Sequence, residues 1–381
     1  MTMFDPMPLR QVMDDAVSSG AIVGCVLSVC VDGREVFVDA SGFADREAAQ
    51  AITTDAIFRL ASLTKAVVCV AALALTETGA VALEDPVTRW LPWFRPALPS
   101  GERPAIRVID LMTHASGLGY GFGQVSAQVY AMAGVSDGMD DSGLTLEANM
   151  RRLAQTTLFD RPGTSWRYSL GIDLLGLVLE QVEGCGLAEI IEARITRPLG
   201  MDDTAFVAAP GTVLVTPYAD GDPAPVRMKA AHPVQLGLGT IYFAPARAWD
   251  ADAFPSGGTG LVGTARDYGR FLEAMRQDGG GILLPDAARA FVMHAVGDAV
   301  VGMPGSGLGW GLGTAIMRDP AAVGSPLSPG SWMWGGVYGN SYWVDPSRRL
   351  SVVALTNTAL AGMAGPFPDA VKQAVYAGLR H

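Results

Sequence analysis

Lysine is almost missing from this chain. Only Lys65, Lys229 and Lys372 occur among 381 residues, and the other basic residues are arginines. Acids outnumber bases 38 to 27, a formal charge of −11. Nucleic-acid phosphates need clustered Lys and Arg, so that class of partner is excluded. Charged residues are only 17% of the chain and apolar ones 49%. That composition is globular, and the length suffices for two cores.

Long apolar runs are missing too. The longest, Ala66 to Leu75, has ten residues, about half of what a bilayer span needs. The N-terminal residues 1–16 carry Asp5, Asp14 and Asp15, and read as an amphipathic helix, not a secretory signal. Cys25, Cys30, Cys69 and Cys185 form no C-x-x-C pair, and no H-E-x-x-H joins them, so neither a metal nor a cofactor is expected. Free thiols place the protein in the cytoplasm. No fixed-period repeat occurs, and no G-x-G-x-x-G follows a strand, which removes the dinucleotide-binding fold. Oligomeric state has no signature.

What is present begins at the two ends. Residues 21–31 are apolar and β-branched; Asp32-Gly33 follows, then Arg34 to Val38, a hairpin signal. Near the other end, residues 331–337, 341–344 and 349–356 read as three strands, and 366–380 as a closing helix. Together they predict one antiparallel sheet built from both termini, flanked by helices. The middle is helical in spacing over 144–153 and 170–182. The fold class is therefore α/β plus all-α, with a mostly helical insertion. The boundaries are 1–79 with 246–381 for the α/β domain and 80–245 for the helical one, the active site between them.

Three short stretches can carry chemistry. Ser62-Leu63-Thr64-Lys65 opens a helical run that Gly79 can end. Ser and Lys three apart share a helix face. A helix start offers unpaired N–H groups that can hold an oxyanion. Burial of a lysine without an acid favours its uncharged amine, which can act as a base. Tyr168, in a loop before the 170–182 helix, can relay a proton. Trp334-Gly335-Gly336-Val337 puts two glycines inside a strand, a mark of close approach by a ligand or another backbone, and the Val337 N–H is a candidate second oxyanion donor.

A rival signal is Gly134-Val135-Ser136-Asp137-Gly138, a G-x-S-x-G. The α/β-hydrolase nucleophile needs a strand before it and a helix after it. Residues 129–133 are a short small-residue segment and 137–142 are polar and Gly-rich, so Ser136 is expected on a surface loop. His232 and His294 are partners only by elimination, and His381 is the last residue. His114 reads as a structural residue in a turn after a helix.

The ordered set Ser62/Lys65, Tyr168 and Trp334-Gly335-Gly336 resembles the serine β-lactamase and penicillin-binding-protein superfamily. The class C-like branch is nearest, and within it the family VIII carboxylesterases. Supporting stretches are Phe58 to Lys65, Leu111 to Leu118, Pro162 to Gly171 and Gly257 to Val262. The resemblance implies a serine β-lactamase-like fold and an acyl-enzyme on Ser62. Lys65 and Tyr168 would be general base and acid, Ser62 and Val337 the oxyanion hole, and Trp334, Gly335 and Gly336 substrate-binding. Which of Lys65 and Tyr168 is the principal base stays open. Lactam-active members carry Tyr-x-Asn and Lys-Thr-Gly; here Leu170 and Trp334-Gly335-Gly336 stand instead. Both departures imply neutral short-to-medium acyl esters as the small-molecule substrates. A β-lactamase, a D-amino-acid peptidase or amidase, and an acyltransferase remain alternatives on the same fold, as does a binding module on an inactive one.

Overall fold

A computed structural model describes residues 3–237, 239–293, 296 and 307–380. Its centre is an antiparallel sheet of eight strands, in the order Leu308–Trp310, Ala315–Met317, Trp332–Gly336, Asn340–Asp345, Leu350–Thr356, Gly24–Val31, Arg34–Asp45 and Gln50–Ala51. The two ends of the chain meet where Leu350–Thr356 pairs with Gly24–Val31, Val352 opposite Val29 and Leu355 opposite Val26. Every residue of Leu350–Thr356 is buried, because both sheet faces are covered. This explains an apolar run where a one-sided strand would alternate. The hairpin expected at Asp32-Gly33 is there; both residues have positive φ, 54° and 81°, as the tight primed turn requires.

One face carries the terminal helices Met7–Ser18 and Pro366–Gly378. Leu9, Met13, Val371 and Val375 pack there against Leu27, Val29, Trp343 and Val352. The other face carries the helix Ala265–Arg276 against Gly24–Val31 and Leu350–Thr356, and on that side the helix Thr64–Glu77 is buried without a break from Thr64 to Leu75. A helix apolar on every side can only be stable inside, and this one is sandwiched between the sheet and the helices of residues 80–245. Those include Val108–Met112, Ala127–Ala133, Leu146–Leu153 and Gly171–Glu183. One apolar cluster runs from Val26 on the sheet through Val67 and Val70 to Leu174 and Val178.

Three differences from the sequence reading are findings. The strands Leu308–Trp310 and Ala315–Met317 extend the sheet beyond the three expected near that end; three residues each are too few for any periodicity to declare. Residues 127–133 are a helix, ended by Gly134 in the left-handed region at φ 62°. The mostly helical middle segment also holds a hairpin that the sequence reading did not pick out, His232–Leu236 paired with Gly239–Phe243. Among the described residues no helix is long and apolar enough to cross a membrane.

Candidate active site

Ser62 sits in a single 3-10 turn, Ala61–Leu63, that runs straight into the Thr64–Glu77 helix. Ala61 is held at φ 47°, a strained conformation for a residue with a Cβ, immediately before the serine. The strand Trp332–Gly336 closes on this turn. A Cβ at Gly336 would lie 2.6 Å from the Leu60 carbonyl oxygen, so only glycine lets the strand come this near. Asn340 Nδ2 fastens the same corner by donating to the Arg59 carbonyl at 2.7 Å.

Lys65 is fully buried. Its Nζ is hydrogen-bonded to Ser62 Oγ at 3.2 Å and to the Gly258 carbonyl at 2.7 Å. It lies 4.6 Å from the ring centre of Tyr168 and 5.1 Å from that of Tyr120. Among the described residues it makes no ion pair. Tyr168 stands in the loop before the Gly171–Glu183 helix, and its Oη accepts a hydrogen bond from Trp334 Nε1 at 2.9 Å. No described hydrogen bond joins Tyr168 Oη directly to Ser62 or Lys65. Aromatic rings hold the phenol on several sides: Trp334 at 5.2 Å, Tyr120 at 5.2 Å and His114 at 4.6 Å between centres.

Ser62, Tyr168, Trp334 and Val337 share one cavity of about 400 Å³ with Phe122 and Leu236. Its lining is mostly apolar carbon. The 119–142 segment does wall it, through Phe122. No residue of 210–225 lines it; the hairpin residue Leu236 does.

The competing serine is elsewhere. Ser136 follows a helix, not a strand, and it is buried rather than on the surface. Its hydroxyl donates to the Asp140 carboxylate and accepts from the Gly138 N–H at 3.0 Å. It is a loop staple without a base. His232 Nδ1 accepts from the Lys229 N–H; His294 and His381 lie outside the described residues. His114 lies in the turn that follows the Val108–Met112 helix. It is wholly buried, its Nδ1 shares a 3.3 Å hydrogen bond with the Ser169 hydroxyl, and burial followed by the nearby Lys65 pushes its pKa well below the usual value. The four thiols are free, and burial pushes Cys25 up to about 12, too high to be reactive.

Sequence reasoning missed Tyr120 and Asp173. Both are buried beside Lys65, and burial raises the pKa of each. Asp173 looks in sequence like any acid in a first helical turn, and Tyr120 like any loop aromatic. Among the described residues no three His, Cys, Asp or Glu side chains cluster as metal ligands.

A sheet built from both chain termini, with a Ser-x-x-Lys turn entering a buried helix and a tyrosine brought alongside from the helical segment, is the design of the penicillin-binding and β-lactamase-type serine hydrolases. The chain belongs to the beta-lactamase family, whose model matches residues 9–374. It is 44% identical over 376 residues to "Esterase EstB" of Burkholderia gladioli, covering 97% of this chain and 94% of that one. The solved structure of "EstCE1, a hydrolase with promiscuous acyltransferase activity" superposes with a TM-score of 0.94 at 41% identity, covering 97% of this chain and 98% of the other. The D-amino acid amidase of Ochrobactrum anthropi, at 23% identity, TM-score 0.71 and coverage of 97% and 98%, shares the fold alone.

Proposed function

We propose that this protein is a carboxylesterase that cleaves small, neutral acyl esters through an acyl-enzyme on Ser62. The observation that carries the reading is the 3.2 Å contact between Ser62 Oγ and the amine of a fully buried lysine, opening on a mostly apolar cavity. Ser62 Oγ attacks the ester carbonyl while its proton passes to the Lys65 amine, which lies 3.2 Å away. The developing oxyanion sits between the N–H groups of Ser62 and Val337. The proton then returns, through Tyr168, to the leaving alkoxide, and the alcohol departs. Water enters, gives its proton to the same pair, and its oxygen attacks the acyl carbon; the acid leaves and Ser62 is restored. Trp334 steadies the Tyr168 oxygen as negative charge builds there, and Trp334, Gly335 and Gly336 line the substrate.

Neutral substrates are favoured by what the cavity offers. Trp334 stands where a lysine would bind a substrate carboxylate, and the lining is apolar carbon with few polar groups. We take 1–79 with 246–381 as one domain and 80–245 as the other, with the site between. The cavity lining supports that division, Ser62 and Trp334 coming from the first and Phe122, Tyr168 and Leu236 from the second. The free thiols support a cytoplasmic location.

Acyl transfer to an alcohol is a second reading. The name of the EstCE1 structure mentions that activity, and an apolar cavity can hold an alcohol in place of water. Treatment with a fluorophosphonate should add one label by intact mass, on the peptide containing Ser62. Turnover of p-nitrophenyl butyrate but little of nitrocefin is expected. A label on Ser136, or a preference for nitrocefin, would overturn the assignment. New ester formed on adding an alcohol would establish the transferase activity.

A further inference from the structure

Asp173 occupies the third position of the Gly171–Glu183 helix and is wholly buried. An acid there is favoured by the helix dipole alone, but such acids usually face water or bond their own helix amides. Asp173 does neither. Its Oδ1 accepts from Ser256 Oγ at 2.5 Å and from the Gly258 N–H at 3.3 Å. Among the described residues its Oδ2 has no hydrogen-bond partner, and neither has Tyr120 Oη. Both atoms crowd one side of Gly258, at 2.5 and 2.7 Å from where a Cβ would stand, so the residue must be glycine. The carbonyl of that same Gly258 is the one that Lys65 Nζ binds at 2.7 Å.

We infer that Asp173 is a positioning residue for the reaction: its carboxylate fixes Gly258, and so the Lys65 amine, and supplies the counter-charge when that amine takes the Ser62 proton. The step is balanced within the site. The proton leaves Ser62 Oγ and binds the Lys65 nitrogen; Asp173 neither gives up nor takes up a proton in the step. Lys65 has no ion-paired acid of its own, and an ammonium created in a dry site needs one nearby. Burial pushes the Asp173 pKa up, and Ser256 and Lys65 pull it down. The other titratable groups acting on this cluster are His114, Tyr168, Asp137 and Arg247. None of these bonds Gly258.

The inference rests on the esterase reading of Ser62 and Lys65. The test is the pH profile of p-nitrophenyl butyrate hydrolysis by the full chain carrying Asp173→Asn or Ser256→Ala. Asp173→Asn should lower kcat by about 10- to 100-fold with little change in KM. It should also move the ascending limb of kcat to lower pH, because a charge that favours the ammonium form is gone. Ser256→Ala removes one hydrogen bond from the acid but leaves the acid itself, so its limb should move less than that of Asp173→Asn whatever its rate. If the asparagine variant does not fold, Asp173→Ser carries the same expectation. An unmoved limb in the neutral variant overturns the inference while leaving the esterase reading intact. Full activity in Ser62→Ala would instead remove the reading beneath it.

Discussion

Trp334 Nε1 donates a hydrogen bond to Tyr168 Oη at 2.9 Å, joining the sheet to the loop that enters the Gly171–Glu183 helix. The indole is the only hydrogen-bond partner described for that phenol oxygen. It is a neutral donor, so it can stabilise charge on Tyr168 but cannot attract a substrate carboxylate.

Replacing Trp334 by Phe keeps an aromatic wall and removes the N–H. A hydrogen bond to a charged oxygen contributes about 1.5–3 kcal/mol, so kcat should fall by about 10- to 100-fold. Steady-state kinetics on p-nitrophenyl butyrate measure this, and an unchanged kcat would show that the phenol needs no donor.

Ser62→Ala should lower ester turnover by about 10⁴- to 10⁶-fold, the range seen when a hydrolase nucleophile is removed. Ser136→Ala should leave the rate nearly unchanged, since its hydroxyl only ties Asp140 and Gly138. Its cost should appear in thermal stability instead. The reverse pattern would transfer the nucleophile to Ser136.

Gly336→Ala tests the closure of the sheet edge on the nucleophile turn. The new methyl would meet the Leu60 carbonyl at 2.6 Å, and backbone must move. About 1–3 kcal/mol of stability should be lost. Activity should fall further than that loss explains, because Val337, the next residue, moves with it. A variant that unfolds earlier but keeps full activity would argue against Val337 as an oxyanion donor.

Asp137 gives a prediction for stability against pH. Burial first, then Asp140 and Asp173, raise its pKa to about 7 in the folded protein, against an ordinary value of 3.8, although the Gly121 and Phe122 amides pull it down. A raised acid pKa means that the folded state holds the proton when the unfolded chain has lost it. Stability therefore falls as pH rises between the two values, and the penalty is complete above about 7. Asp137→Asn should remove that penalty, by at most about 4 kcal/mol, at pH 8 and much less at pH 4. Denaturant melts at both values measure it; a benefit that is equal at both would exclude titration of Asp137 as the cause.

Much of the candidate site was legible because its chemistry is local. Ser62 and Lys65 are three residues apart, so helix geometry alone brings them together. The two glycines at 335 and 336 announced a close approach, and the Leu60 carbonyl is what approaches Gly336. Tyr120 and Asp173 were not legible, since nothing local marks residues that meet only beside Gly258, far away in sequence. The strands at 308–310 and 315–317 were hidden for a similar reason, being too short for a pattern and held by pairing alone.

By itself, the order of residues determined the two-ended sheet, the buried helix and the Ser-x-x-Lys turn, because alternation, helical spacing and turn chemistry act within a few positions of each other. Only the tertiary structure decided that Tyr168 meets Trp334, that Asp173 stands behind Lys65, and that Leu236 rather than the 210–225 segment walls the cavity. These contacts join distant parts of the chain, and packing of the whole interior selects them.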